Sequence, residues 1–185
     1  MLGTIGKDFK YKIIDNFLSK DEIQLLEKYC FFIHRSNREQ FDEVRNNNNG
    51  DNGDTGIYTD PLMESLLLSK QKIIETESNL KLFPTYTYWR MYTRFATLKR
   101  HTDRPSCEIS ASVQISSDGV EWPLYLDGKE IILKNGQAVI YTGMELPHWR
   151  EVFEGDYQAQ CFLHYVDSNG KHKDWKFDKR PDVGM

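Results

Sequence analysis

From Leu82 onward the chain alternates between apolar and polar positions. In 109–115, Ile109, Ala111, Val113 and Ile115 fall on one side of an extended backbone, and Ser110, Ser112 and Gln114 on the other. Runs rich in Tyr, Trp, Thr, Ile and Val are separated by turn signals at Ser117-Asp118-Gly119, Asp127-Gly128, Asn135-Gly136 and Gly155-Asp156. The pattern predicts eight strands, over 83–93, 97–103, 108–116, 122–126, 130–134, 138–142, 148–153 and 157–166. Ahead of them Tyr11 to Asp15 reads as a short strand. Ser19-Lys20-Asp21-Glu22 is a capping box opening a helix whose apolar face is Ile23, Leu26, Tyr29 and Cys30. That helix is expected to fade near His34. Residues 36–57, including Asn46-Asn47-Asn48-Asn49-Gly50-Asp51-Asn52-Gly53-Asp54, are polar and are expected to form a mobile loop. Asp60 and Pro61 supply an N-cap and a first-turn proline for a second helix, roughly Leu62 to Thr76.

Short antiparallel strands after a helical start predict a mainly β fold with N-terminal helices (α+β), closing as a double-stranded β-helix, or jelly roll. We expect one domain over 1–185, with 1–80 as helical support and 81–167 as the jelly-roll core. The alternation in 109–115 leaves one question open. A plain sandwich buries the apolar row and wets the serine row. A jelly roll with a polar pocket turns the serine–glutamine row inward and covers the apolar row with helices.

Composition narrows the classes. Hydrophobic residues are 39% and charged residues 28% of the chain, and the net charge is −4. No basic excess points to nucleic acid. Arg90, Arg94, Lys99, Arg100 and Arg104 cluster in sequence and are expected as a solvated rim. Three cysteines, Cys30, Cys107 and Cys161, form no C-x-x-C pair and point to a reducing compartment. With no leader-like segment and no run of membrane-span length, a cytoplasmic protein that engages no membrane is expected.

The candidate chemistry lies in His101-Thr102-Asp103 and, about 45 residues later, His148. On a strand, residues i and i+2 point the same way, so His101 and Asp103 can address one metal while Thr102 points away. A histidine from a neighbouring strand completes a 2-His-1-carboxylate set, which holds one face of a metal and leaves the other open, as in non-haem Fe(II) oxygenases. The plain alternative is two solvated residues and a structural histidine. His164 is a rival ligand, but a core or supporting role is expected for it. Trp89, Arg90, Trp122, Tyr125 and Trp149 can line a pocket mouth, although core packing is expected for most of them.

The order of motifs resembles the prolyl-4-hydroxylase-like branch of the 2-oxoglutarate/Fe(II) oxygenases. The similar parts are Ile14-Asp15-Asn16-Phe17-Leu18-Ser19 with Asp21-Glu22, the aromatic strand with Tyr92, His101-x-Asp103, and Gly136-Gln137-Ala138-Val139-Ile140-Tyr141 followed by Gly143, His148 and Gly155. The resemblance implies that His101, Asp103 and His148 bind Fe(II). It implies 2-oxoglutarate and O2 as cosubstrates, oxidised to succinate and CO2 as a substrate is hydroxylated, with ascorbate as an optional addition. An aspartate ligand implies a hydroxylase rather than a halogenase. The substrate would be a prolyl or other peptide side chain, or a small amino-acid-like molecule.

Two departures stand out. The branch places a Lys or Arg nine to eleven residues after the distal histidine, to pair with the 5-carboxylate of 2-oxoglutarate; here Tyr157, Gln158 and Ala159 stand there. Arg150, two residues after His148, is the nearest candidate for that pairing, helped by Tyr92 and by Ser112 or Gln114; the alternative is a pairing of Arg150 with Glu151 or Glu154. The glycine usual before the H-x-D is also missing, with Thr93-Arg94-Phe95-Ala96 in its place. The competing function is a non-catalytic, cupin-like jelly roll that binds a small molecule or another metal, zinc included.

Overall fold

The computed structural model describes residues 10–40 and 53–185. The chain opens with β1 (Tyr11–Ile14), α1 (Lys20–Gln40), β2 (Thr55–Tyr58) and α2 (Pro61–Ser78). β3 (Leu82–Thr93), β4 (Leu98–His101), β5 (Ile109–Ser117), β6 (Leu124–Leu126), β7 (Lys129–Ile131), β8 (Ala138–Tyr141), β9 (His148–Arg150) and β10 (Tyr157–Asp167) follow. All pairings are antiparallel. A six-stranded sheet runs β1-β8-β5-β10-β3-β2, and a four-stranded sheet runs β4-β9-β6-β7. The fold is therefore mainly β, with two antiparallel sheets and helical support.

Both helix starts form for the reasons their sequences give. At α1, Ser19 Oγ accepts from the Glu22 N–H at 3.2 Å, and the Glu22 carboxylate accepts from the Ser19 N–H at 2.7 Å. At α2, Asp60 Oδ1 accepts from the Leu62 and Met63 N–H groups, and its Oδ2 accepts from the Tyr29 hydroxyl at 2.7 Å and the Trp89 indole at 3.1 Å. One buried carboxylate thus caps one helix and ties it to the other and to β3.

The question left by β5 has an answer in the packing. Ile109, Ala111, Val113 and Ile115 join the core built by the helices, with Phe17, Leu26, Met63, Leu67 and Ile74. Ser110, Ser112 and Gln114 are buried as well and belong to the opposite face. On β8 the rows divide likewise: Ala138 and Ile140 join the helix-side core, while Val139 and Tyr141 pack with Leu124, Leu126 and Ile131 of the smaller sheet. The serine row therefore faces the space between the sheets.

Several expectations need correction. α1 does not fade near His34 but runs to Gln40. The polar stretch 36–57 is not loop at its ends: β2 pairs with β3 from Thr55↔Met91 to Tyr58↔Tyr88. Residues 41–52 of the expected mobile loop lie outside the described residues. β4 is shorter than 97–103, because Asp103 leaves the ladder to donate its N–H to Gly143 O at 2.9 Å and Pro105 opens a 3-10 turn. β9 stops at Arg150 rather than 153, where Phe153 exchanges backbone bonds with Phe95 and Ala96. Phe95 takes the turn that a glycine would ease, with φ 70°. A C-terminal 3-10 segment, Lys173–Lys179, has no counterpart among the expected elements.

Candidate metal centre and pocket

β4 and β9 pair so that His101 and His148 are directly opposite, with ring centroids 4.2 Å apart. Asp103, just past the end of β4, turns back between them. Its Oδ1 lies 3.6 Å from His101 Nε2 and 3.5 Å from His148 Nε2. One ligand-type atom from each of the three residues falls within 4.8 Å of the others, a spacing that can hold a metal ion.

The tautomers are set from behind. His101 Nδ1 donates to Lys99 O at 2.8 Å, and His148 Nδ1 donates to Leu146 O at 2.9 Å. Each imidazole thus binds the carbonyl two residues earlier and turns an unprotonated Nε2 toward Asp103. Burial alone would push the Asp103 carboxyl up, but the neighbouring His101 and His148 side chains outweigh it and hold the group well below the usual carboxylate range. The other oxygen, Oδ2, accepts from Ser110 Oγ at 3.1 Å. The strand-period argument thus names three residues that the fold brings together, although Asp103 reaches the cluster from a turn.

The cluster opens on a cavity of about 290 Å³, lined also by Tyr86, Arg90, Tyr92, Arg104, Tyr141 and His164. One of the expected rim cations, Arg90, is therefore misplaced by the sequence reading, whereas Arg104 is exposed at the cavity. Arg90 is 5% exposed and pairs with Asp54 at 2.5 Å. Arg104 forms two 2.8 Å bonds to Asp178. The signal for Arg90 was present: Tyr86, Tyr88, Arg90 and Tyr92 alternate along β3 with Thr85, Thr87, Trp89 and Met91, and they make the pocket face. Of the expected mouth residues Arg90 alone lines this cavity. Trp89 is in the main core, Trp122 packs on Phe153 and Tyr92, and Tyr125 stacks on Trp149 at 5.2 Å.

Arg150 is 3% exposed. Its guanidinium lies over the Trp122 ring, 4.6 Å from the centroid, and donates to Trp122 O. No carboxylate among the described residues pairs with it; Glu151 instead accepts from the Trp149 indole at 3.0 Å. Burial pushes Arg150 down to about 10, against the opposing pull of Tyr92 and Tyr141. Tyr92 is buried beside it, against Trp122 at 4.8 Å, with the Arg90 guanidinium 4.5 Å from its ring centre. Of the two helpers considered for Arg150, Ser112 instead accepts from Gln160 and Gln114 donates to Asn135. His164 sits 2.9 Å from Ser110 Oγ, and burial pushes its pKa down to about 4. It lines the same cavity, and with Asp103 and Cys107 it makes a second group of ligand-type atoms within 4.8 Å of one another.

No protein-family model matches the sequence, and no curated protein does. Solved structures do. A prolyl-4-hydroxylase from Pseudomonas putida aligns with TM-score 0.62 at 18% identity, over 86% of this chain and 94% of its own. A viral collagen prolyl hydroxylase from Paramecium bursaria Chlorella virus-1, in complex with 2-oxoglutarate, aligns with TM-score 0.63 at 11% identity, over 88% and 98%. EctD from S. alaskensis, with 2-oxoglutarate and 5-hydroxyectoine, aligns with TM-score 0.68 at 12% identity, over 98% and 84%. The fold is that of the 2-oxoglutarate/Fe(II) oxygenases. Within this oxygenase fold the triad, the pocket and the buried Arg150 are this chain's own features, and the chemistry must be argued from them. No described helix is long and apolar enough to cross a membrane.

Proposed function

We propose that the chain is a non-haem Fe(II)/2-oxoglutarate-dependent dioxygenase, a hydroxylase on a single double-stranded β-helix domain. His101, Asp103 and His148 hold the metal, and Arg150 with Tyr92 receives the 5-carboxylate of 2-oxoglutarate. The observation that carries this reading is the pair of imidazoles whose Nδ1 atoms are tied to backbone carbonyls, so that both Nε2 atoms meet one carboxylate oxygen at 3.5–3.6 Å. Two neutral imidazoles and one ionised carboxylate fit Fe(II) and leave coordination positions open for a chelating cosubstrate. With iron and 2-oxoglutarate bound, the site would couple O2 reduction and cosubstrate decarboxylation to hydroxylation of a C–H bond.

The chain's own residues do the rest. Tyr92 and Tyr141 line the cavity, and Arg150, which does not line it, is buried next to both. Arg150, buried without an acid partner among the described residues, offers a carboxylate a charge-assisted bond in a desolvated place. Tyr86, Phe162 and Arg104 line another part of the cavity and are left for the substrate. For the substrate we favour a prolyl or other peptide side chain, or a small amino-acid-like molecule. The two prolyl hydroxylases of like fold support the peptide option, and the 5-hydroxyectoine present with EctD supports the small-molecule option.

Anaerobic Fe(II) plus 2-oxoglutarate is expected to give a weak visible charge-transfer band. Oxygen should bleach it and release succinate, faster when proline-rich peptides or free amino acids include the substrate. Tight zinc binding with no succinate under any of these conditions would favour the non-catalytic, cupin-like reading instead.

A further inference from the structure

Ser110 is fully buried, and its one hydroxyl touches three groups: Asp103 Oδ2 at 3.1 Å, His164 Nδ1 at 2.9 Å and Cys107 O at 3.3 Å. A hydroxyl has a single proton to donate. If His164 Nδ1 accepted it, Ser110 Oγ and Asp103 Oδ2 would face each other at 3.1 Å as two bare oxygens, one of them charged. The two shorter contacts are both satisfied when the proton runs the other way, and only the longest, to Cys107 O at 3.3 Å, is left without one. His164 Nδ1–H then donates to Ser110 Oγ, and Ser110 O–H donates to Asp103 Oδ2, the charged and therefore stronger acceptor. An imidazole with its proton on Nδ1 makes the first of these donations whatever the state of Nε2.

Gly143 closes the same corner. A Cβ there would meet Asp103 Oδ2 at 2.3 Å, Cys107 O at 2.6 Å and Ser110 Oγ at 2.8 Å. Oδ2 is therefore held by a hydrogen bond on one side and walled by backbone on the other, while Oδ1 faces His101 and His148.

We infer that Ser110 and His164 are positioning residues, a two-step relay that reserves one oxygen of Asp103 and makes it a one-oxygen ligand. The inference rests on the metal reading above. Its consequence is a count of positions. Two histidines and one carboxylate oxygen occupy three, whereas a carboxylate free to bind through both oxygens would take a fourth and crowd a chelating cosubstrate. The sequence left open a serine row turned into a pocket and expected a core or supporting role for His164, but no local signal links Ser110 to Asp103 or to His164, 54 positions away.

The test is Co(II) binding to the metal-free full chain, followed by the visible absorption of the bound ion, with 2-oxoglutarate titrated in afterwards. Ser110→Ala should weaken Co(II) or 2-oxoglutarate binding on the order of 10-fold and change the Co(II) spectrum. Ser110→Thr, which keeps the hydroxyl, should stay within about threefold of the parent in both. His164→Asn, whose amide nitrogen can stand in for Nδ1–H, should bind more tightly than His164→Leu. Because His164 acts only through Ser110, Ser110→Ala/His164→Leu should be no worse than Ser110→Ala alone. If Ser110→Ala does not fold, the Asn and Leu variants of His164 decide. Parent-like binding and spectra in Ser110→Ala, equal behaviour of His164→Asn and His164→Leu, or losses that multiply in the double variant would each overturn the relay. A parent chain that binds no Co(II) would overturn the metal centre itself, which is a separate and recognisable result.

Discussion

Arg150 is a cation in a place that does not suit one. It has left water, and among the described residues its side chain has a carbonyl and an aromatic face but no carboxylate. Removing an ion from water costs several kcal/mol even after relaxation. Losing the hydrogen bond to Trp122 O costs only about 1–3 kcal/mol. Arg150→Met, which keeps most of the length, should therefore raise the stability of the ligand-free protein, by about 1–2 kcal/mol in urea unfolding. The same change should weaken 2-oxoglutarate binding by about 10- to 100-fold, the worth of one or two charge-assisted bonds. Isothermal titration on the Co(II) form measures the second effect, and unchanged affinity would remove Arg150 from the cosubstrate site. The sequence pointed at Arg150 by its i+2 offset from His148, but its missing partner is a three-dimensional fact. Arg104 is the converse: nothing local in the sequence links it to Asp178, 74 positions away.

At the scale of elements, the helices and most strands were legible because their signals are local. The capping box at α1 names both of its partners within four residues, and β5 declares its two faces within seven. β2 was missed because it is four residues long and follows a polar run. It exists only through pairing with β3, where Gly56 leaves room for the Tyr88 ring: a Cβ at 56 would lie 2.1 Å from the Tyr88 hydroxyl oxygen. The capping box also makes a pH prediction. Burial raises the Glu22 carboxyl somewhat, but Lys70 at 2.8 Å and the Ser19 N–H outweigh that and lower it below the ordinary value. A depressed carboxyl stabilises the fold fully above its unfolded pKa, about 4.3, and the contribution is lost as pH falls through the lower folded value. Glu22→Gln, which keeps an acceptor for the Ser19 N–H but loses the Lys70 ion pair, should melt about 1–3 °C below the parent at pH 6, as befits an interaction of about 0.5–1 kcal/mol. The gap should narrow as pH falls below about 4. A gap that stays constant from pH 6 to pH 2.5 would remove the Glu22 charge from α1's stability.

Across the whole molecule, the least legible part is the C-terminal segment, and the reason is physical. Residues 173–179 include no fully buried residue and show no apolar period; the one well-buried side chain, Asp178, is held by partners that lie far back in the chain. Arg180, just beyond them, pairs with Glu64 at 2.5 Å and also donates to Thr85 O at 3.0 Å, joining α2 to β3. Asp178 meanwhile holds Arg104 and accepts from the Tyr58 hydroxyl, so the same segment braces two residues of the pocket wall. The Glu64 side chain is 2% exposed. Taking away its arginine leaves a carboxylate buried with little besides the Gly184 N–H, and breaking such a pair typically costs about 3–5 kcal/mol. Arg180→Met should therefore destabilise the protein by roughly that much in urea unfolding. Adding Glu64→Gln should restore a good part of it, because an amide needs no counter-ion. Circular dichroism can follow both variants. If the double variant is as unstable as Arg180→Met alone, the segment is held by shape and backbone bonds rather than by the Glu64–Arg180 pair.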